Sequence, residues 1–238
     1  MKFRTFRDVV VALVLILLVV LGDSVISEAS DGDGDMTYEE GAQAWQDTEE
    51  SLRIREAKKA QVKKRWAEPT ETCILDVTIF VQSENWCGPA TVKQVVHFIK
   101  GQSKEMSEYA ALLGTTSDGT DMTVIPGVLN QELGIGTVYT YEDQFADQTE
   151  WQNLLKASMD NSLPAILDID SSQVYDGSGE CGFPYETTGH FVNMSGYDYE
   201  TMAFRIADPT RLGYGNHWVD MDVLYRVNMD HFRHAIIH

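Results

Sequence analysis

The sequence predicts an α+β domain over residues 69–238, in which helices come first and antiparallel strands come last. A stretch of about 170 residues is long enough to build one hydrophobic core. Its first half has apolar residues at helical spacing, whereas its second half has runs in which apolar and polar residues alternate as in strands. Helices and strands that are separated along the chain in this way are typical of the α+β class.

The first half of this domain is predicted to hold one strand and three helices. In the helix at 87–99, apolar residues from Val92 to Ile99 recur at spacings of three and four, which places them on one face. The elements predicted around it are a strand at 74–81 and helices at 107–113 and 122–133.

The second half is predicted to hold one more helix and most of the strands. The run at 190–197 alternates between two residue sets, and the run at 202–207 ends at Asp208 and Pro209. The predicted order is a strand at 137–141, a helix at 149–161, and strands at 165–170, 190–197, 202–207 and 218–223.

Cys87 lies in the first turn of the predicted helix, where a thiolate nucleophile is most easily formed. Pro89 is tolerated there because the N–H that it lacks would have no partner inside the helix. The remaining first-turn N–H groups and the helix dipole favour a negatively charged sulfur. A small, buried and unreactive cysteine is the alternative interpretation of the same residue.

His190 and Asp208 are the candidates for the base and the orienting acid that a cysteine nucleophile needs. His190 opens the strand at 190–197, and Asp208 ends the next predicted strand. A short hairpin between these strands is expected to place the two side chains together. His217 is the rival base, but it lacks a following strand that ends in a carboxylate.

Several motifs of this sequence together resemble a known family. They are Gln82-Ser83-Glu84-Asn85-Trp86-Cys87-Gly88-Pro89-Ala90, Gly119-Thr120, Leu163-Pro164-Ala165-Ile166, Gly189-His190-Phe191-Val192 and Ala207-Asp208-Pro209. From about residue 74 to residue 228, the chain resembles the bacteriocin-processing (peptidase C-39-like) cysteine peptidases. The resemblance implies a papain-like fold, with the nucleophile helix packed on an antiparallel sheet.

The resemblance also implies a role for each of four residues. Cys87 would be the nucleophile, His190 the general base and acid, and Asp208 the residue that orients His190. Gln82 would donate its side-chain amide to the oxyanion, although it stands five residues before Cys87 rather than the more usual six. The implied substrate is a peptide or protein. A cell-wall amide hydrolase, an acyl or peptidyl transferase and a non-catalytic binding module on the same fold are the alternatives.

The N-terminus predicts export. Three basic residues precede an unbroken apolar run at 9–21, which is long enough for a signal peptide and shorter than the ~20 residues that span a bilayer. Residues 1–29 are therefore expected to be a signal peptide, with cleavage after Gly22 or Ala29. An uncleaved N-terminal anchor is the alternative, so the protein is expected to be secreted or attached to the cell surface.

Residues 30–68 are predicted to be a linker and a charged helical segment. The whole chain carries a net charge of −19, yet residues 53–68 contain seven basic and two acidic residues, a local net of +5. Residues 69–238 contain 8 basic and 24 acidic residues, a net of −16. Opposite charges of this size favour docking, so the segment is either a pro-region or an exposed spacer.

The long stretch at 171–188 immediately precedes His190 and has no periodic pattern. Loops of this length are usually functional or disordered. If the triad is correct, this loop overhangs the cleft, and Tyr175, Phe183 and Tyr185 are predicted to contact substrate. If Cys87 stays reduced, Cys73 and Cys181 are the remaining pair, and a disulfide between them is one hypothesis. Three reduced cysteines are the other.

The sequence also indicates which partners to exclude. It has no phosphate-binding loop, dinucleotide fingerprint or zinc motif, so neither a cofactor nor a metal is expected. A domain with a net charge of −16 is not expected to bind nucleic acid. Membrane contact is expected only through an uncleaved N-terminal segment, and the sequence leaves the oligomeric state open.

Overall fold

A computed structural model describes residues 72–83, 85–175, 183, 185–212 and 215–238. The predicted signal peptide at 1–29, the segment at 30–68 and Cys181 lie outside these residues. Among the helices that the structure describes, none is both long and apolar enough to cross a membrane.

The described residues form five α-helices, one 3₁₀ helix and seven strands. The α-helices are Cys87–Lys100 (α1), Met106–Leu113 (α2), Ile125–Leu133 (α3), Gln148–Asp160 (α4) and Met221–Asp230 (α5), and the 3₁₀ helix is Met122–Val124. The strands are Thr72–Ile74 (β1), Tyr141–Glu142 (β2), Ala165–Ile169 (β3), His190–Asp198 (β4), Ala203–Asp208 (β5), Gly215–Asp220 (β6) and Ile236–Ile237 (β7).

The strands form one antiparallel sheet in the order β2-β7-β3-β4-β5-β6, and β1 pairs with the C-terminal part of β4. α1 packs on β4, where the side-chain amide of Asn193 donates to the backbone O of Thr91 at 3.1 Å and to Oε1 of Gln94 at 2.7 Å. The predicted α+β class, with the helix that carries Cys87 packed on an antiparallel sheet, is therefore confirmed.

Alternating strand residues build a core on each side of the sheet. Ile166 and Phe191 join the cluster formed with α1, α2 and α3, whereas their neighbours Leu167 and Val192 join the cluster formed with α4 and α5. Each of these side chains is fully buried. Burying a side chain of this kind contributes about 1.5–3 kcal/mol, so the sheet is stabilised from both faces.

The prediction of a strand at 74–81 is confirmed only at Ile74 and is wrong for residues 75–81. Leu75 and Val77 are buried and alternate with exposed neighbours, which is the pattern that suggested a strand. Leu75 N donates to Ser195 O at 2.8 Å, but Val77 N turns back to Leu75 O at 2.9 Å. The segment is thus anchored to the sheet without forming a continuous ladder, and the regular strand lies earlier, at Thr72–Ile74.

The strand predicted at 137–141 shrinks to Tyr141–Glu142, because a side chain takes over its backbone donors. Oδ1 of Asn130 accepts from the backbone N of Val138 and of Tyr139, each at 2.8 Å. These two N–H groups are therefore bound to α3 rather than to a neighbouring strand.

The last predicted strand, 218–223, is wrong at its end, because α5 begins at Met221. The Asp220 side chain accepts from the backbone N of Asp222 and of Val223, which makes Asp220 the N-cap of this helix. The helix α5 and the short strand β7 were both missed from the sequence.

The hypothesis of a disulfide between Cys73 and Cys181 is not borne out at Cys73, which is a free thiol in the structure. Cys73 lies on β1, opposite Tyr197, and its sulfur donates to the backbone O of Met159 at 3.8 Å. The thiol therefore packs toward the end of α4.

Candidate active site

Cys87 is the first residue of α1, at the end of the helix where the dipole favours a negative charge. The N-cap residue Trp86 makes no side-chain capping bond, and the first turn contains no acidic residue. The first-turn N–H groups and the helix dipole therefore act on the Cys87 sulfur. Cys87 is fully buried, so a reagent or substrate reaches the sulfur only when the surrounding residues move locally.

Gly88 allows a close approach between α1 and the loop at 115–121. A Cβ atom on Gly88 would lie 2.6 Å from Oγ1 and 2.7 Å from Cβ of Thr120. No side chain larger than hydrogen fits there unless the loop moves. This contact explains why a glycine directly follows the cysteine and why Thr120, from the second motif, lies beside it.

His190 and Asp208 meet because one opens β4 and the other ends β5. The two strands pair antiparallel, with Asn193 opposite Ala207, which brings their ends together. Nε2 of His190 lies 2.9 Å from Oδ1 of Asp208. With Nε2 engaged by Asp208, Nδ1 is left for Cys87, whose side chain forms a hydrogen bond with His190.

The electrostatics of this group favour a charged pair between His190 and Asp208. Burial alone would lower the pKa of His190, but the Asp208 carboxylate and the Cys87 sulfur raise it to about 10. Burial raises the pKa of Asp208, but the net shift is downward because of His190 and of hydrogen bonds from Tyr185 and Thr210. At neutral pH the imidazolium and the carboxylate are therefore both favoured, in a site from which water is nearly excluded.

Tyr185 is the site residue whose role sequence reasoning missed. Its hydroxyl donates to Oδ2 of Asp208 at 2.5 Å, and its ring lies edge-on to His190 with the ring centres 5.8 Å apart. The sequence predicted Tyr185 as a substrate contact, with no signal that linked it to Asp208. Phe183, predicted in the same way, is fully buried in the core on the α4 side, and Tyr175 is half-buried.

Gln82 is fixed by its backbone to the segment that follows Asp208. Its N donates to Pro209 O at 2.8 Å, and its O accepts from Nε of Arg211 at 3.2 Å. The Gln82 side chain is half-buried. The segment that precedes the nucleophile is thus held against the segment that carries the carboxylate.

The rival histidine, His217, lies on the strand that pairs with β5, and the Asp208 carboxylate acts on it electrostatically. It sits on β6 opposite Ile206, with Nδ1 3.2 Å from Gly215 O, and burial lowers its pKa. The histidine that contacts both Cys87 and Asp208 is His190. Among the residues that the structure describes, no group of three or more histidine, cysteine or acidic side chains is arranged to hold a metal ion.

Comparison with known proteins gives one family and several similar structures. The model of the Peptidase_C39 like family matches residues 74–231. No curated protein matches the chain.

Three solved structures are similar to part of the chain. Xylellain, a cysteine protease from Xylella fastidiosa, is 15% identical with a TM-score of 0.49, covering 72% of this chain and 85% of that one. A double glycine motif protease from an AMS/PCAT transporter, in complex with the leader peptide, is 14% identical with a TM-score of 0.46. The match covers 69% of this chain and 91% of that one. The peptidase domain of Streptococcus ComA, a bifunctional ABC transporter involved in quorum sensing, is 17% identical with a TM-score of 0.44. The match covers 68% of this chain and 96% of that one.

Proposed function

The chain belongs to the Peptidase_C39 like family and is a cysteine peptidase, and we propose that it is exported and cleaves peptide bonds with a Cys87–His190–Asp208 triad. The observation that carries the proposal is the continuous line of contacts from the Cys87 sulfur through His190 to the buried Asp208 carboxylate. A nucleophile, a base and a group that orients the base are the three parts that covalent amide hydrolysis requires.

In the proposed reaction, the Cys87 thiolate attacks the carbonyl carbon of the scissile bond. The sulfur–carbon bond forms, and the carbonyl oxygen takes the negative charge. The proton on Nδ1 of His190 then moves to the leaving nitrogen, the carbon–nitrogen bond breaks, and a thioester remains on Cys87. His190, now neutral, takes a proton from a water molecule while the water oxygen bonds to the carbonyl carbon of the thioester. The carbon–sulfur bond then breaks, which releases the acid product and restores the Cys87 thiolate and the His190 imidazolium.

The negative oxygen of the tetrahedral intermediate needs donors that are already in place. We assign these to the backbone N–H of Cys87, the first residue of α1, and to the side-chain amide of Gln82. The two backbone bonds of Gln82 to the Pro209 and Arg211 segment support this assignment, because they restrict the position from which its side chain can reach the site.

The proposed substrate is a peptide or a protein. The family match supports this, and one of the similar structures was solved in complex with a leader peptide. The proposal includes residues 1–29 as a signal peptide or anchor, residues 30–68 as a linker or pro-region, and residues 69–238 as the peptidase domain. Secretion or attachment to the cell surface follows from the N-terminal pattern of basic and apolar residues.

The proposed nucleophile is tested by competition between two cysteines in the full chain. Cys73 is partly exposed and Cys87 is fully buried, so exposure alone predicts that iodoacetamide labels Cys73 first. The proposed function predicts the reverse at pH 6, because the thiolate and not the thiol is the reactive form. Labelling is read by peptide mass spectrometry and followed by profiling of cleavage in a peptide mixture. Preferential labelling of Cys73 together with no cleavage would contradict the proposal.

Export is tested by the N-terminus of the protein recovered from a bacterial host. A mature chain that begins at residue 23 or 30 is the expected result for a cleaved signal peptide. A chain that begins at Met1 in the membrane fraction would instead indicate an anchor. An intact chain in the cytoplasm would contradict export.

A further inference from the structure

Tyr185 provides a second anchor for the carboxylate that holds His190. Asp208 is fully buried, and its Oδ1 accepts from Nε2 of His190 at 2.9 Å and from the backbone N of Thr210 at 2.8 Å. Oδ2 accepts from the hydroxyl of Tyr185 at 2.5 Å. Three donors on one buried carboxylate stabilise its charged form and define the orientation of both oxygens.

The ring of Tyr185 also contacts the other member of the pair. It meets the imidazole of His190 edge to face, with an angle of 83° between the planes and 5.8 Å between the centres. One side chain therefore touches both partners of the bond between Nε2 and Oδ1. A phenol in this position is suited to hold the geometry of the bond and to cover it from water, and His190 is only 5% exposed.

Tyr185 belongs to a long loop, and Ser171, which lies just after the end of β3, binds the backbone of that loop. Ser171 lies two residues after the end of β3 and is fully buried. Its hydroxyl donates to the backbone O of Tyr185 at 2.9 Å and accepts from the backbone N of Thr187 at 3.0 Å. Its backbone N donates to Thr187 O at 2.8 Å. These bonds hold the backbone of Tyr185 and of Thr187 close to the end of β3, which restricts the position of the Tyr185 ring.

We propose that Tyr185 is a positioning residue of this peptidase, which keeps Asp208 charged and aimed at His190 and thereby sets the pH range in which Cys87 is reactive. The inference rests on the proposed roles of Cys87, His190 and Asp208. It adds a residue that acts through Asp208 and does not itself touch the reacting atoms.

Besides Tyr185, the titratable groups that interact with Asp208 are His190 on β4 and His217 on β6, and Cys87 on α1 interacts with His190. Burial lowers the pKa of His217, and the Asp208 carboxylate partly offsets this shift. All three groups are retained when Tyr185 is changed to phenylalanine. A change in pH response after that substitution therefore reports the loss of one hydroxyl.

The test compares Tyr185→Phe with Tyr175→Phe in the full chain. Both substitutions remove a phenol hydroxyl from the same loop, but only the Tyr185 hydroxyl is bonded to Asp208. The measurement is the rate at which iodoacetamide alkylates Cys87 as a function of pH, read by peptide mass spectrometry, which needs no knowledge of the substrate. A second measurement follows the proton on His190 by NMR.

In Tyr185→Phe, the buried Oδ2 loses its donor, so the charged form of Asp208 is less stable and the pKa of that carboxyl rises. An Asp208 carboxyl whose charged form is less stable gives less stabilisation to the imidazolium. His190 therefore loses its proton at a lower pH than in the unaltered chain. The thiolate that is paired with His190 is then formed less readily. We expect the alkylation of Cys87 at acidic pH to slow about ten- to a hundredfold. The pH at which the alkylation rate begins to rise, which we call the acid edge, should move to a higher value. The Tyr175→Phe profile should overlie that of the unaltered chain.

Each result separates this inference from the proposed function. If Cys87 of the unaltered chain follows the profile of a free cysteine, with a midpoint near pH ~8.5, the proposed nucleophile is wrong and the inference is overturned with it. If that profile is shifted but Tyr185→Phe overlies it, only the role of Tyr185 is overturned. If Tyr185→Phe does not fold, Ser171→Ala takes its place. It should move the acid edge in the same direction by a smaller amount, and an unmoved edge would overturn the inference.

Discussion

At the residue scale, His190 interacts with two members of the site, Asp208 and Cys87. Asp208 lies at Nε2, which leaves Nδ1 to exchange a proton with Cys87. Because Asp208 is buried and its lowered pKa favours the carboxylate, it stabilises the imidazolium and fixes the ring orientation at the same time. The proposed chemistry thus depends on one imidazole that is held in one orientation.

We expect His190→Ala to lower the rate of peptide cleavage at least ~10²-fold, because the substitution removes the general acid and base. The matched control is His217→Ala, since His217 lies on a neighbouring strand and Nδ1 of its ring is bonded to Gly215 O. That control should lose little activity. The measurement is kcat/KM on a peptide found by cleavage profiling. A larger loss in His217→Ala than in His190→Ala would show that the wrong histidine was paired with Cys87.

The residues of this site differ in how far the sequence alone could identify them. Cys87, His190 and Asp208 each stand in a local context that carries a signal: a helix start, a strand start and a strand end. Tyr185 has no such signal, because its bond to Asp208 joins residues 23 positions apart and depends on the path of an irregular loop. Contacts of that kind follow from the tertiary fold and not from local patterns.

At the element scale, side-chain bonds to the backbone decided where several elements begin and end. The predicted strand at 218–223 ended early because the Asp220 side chain accepts from two N–H groups and starts α5. The predicted strand at 137–141 shortened because Asn130 accepts from two N–H groups of that segment. An alternating pattern predicts which side chains are buried, but it does not predict which acceptor binds each backbone N–H.

We expect Asp220→Ala to lower the free energy of unfolding by about 0.5–2 kcal/mol, the usual loss for an N-cap aspartate. The control is Asp230→Ala at the other end of α5, which removes the same charge from an exposed position. It should have little effect, because an acidic residue at a helix C-terminus is slightly unfavourable. Denaturant unfolding curves of both variants provide the comparison. Equal losses would contradict the capping role of Asp220.

At the scale of the whole molecule, the predicted helical first half and the antiparallel sheet were recognisable because burial patterns follow the geometry of each element. Phe191 and Val192 face opposite cores, as successive strand residues must. The order of the strands in the sheet was not predicted. Ile236 and Ile237 form a strand that pairs with both β2 and β3, and a run of two residues is too short to be recognised from its pattern.

The charge of the whole chain leads to a prediction about the basic segment at 53–65. Residues 53–68 carry a net +5 and residues 69–238 a net −16. If this segment covers the site as a pro-region, a chain that lacks residues 30–68 should be more active at low salt than the longer form. The difference in activity between the two forms should become smaller as salt is added, because exposed charges are screened over about 8–10 Å at ordinary ionic strength. The same activity ratio at low and high salt would instead indicate a spacer.

The most direct test of the account is peptide cleavage by Cys87→Ala beside Cys73→Ala. Cys73 is a free thiol on β1, so its removal controls for the loss of a cysteine as such. We predict that Cys87→Ala folds with unchanged secondary structure and cleaves no peptide, whereas Cys73→Ala cleaves as the unaltered chain does. Cleavage by Cys87→Ala at the rate of the unaltered chain would contradict the assignment of Cys87 as the nucleophile.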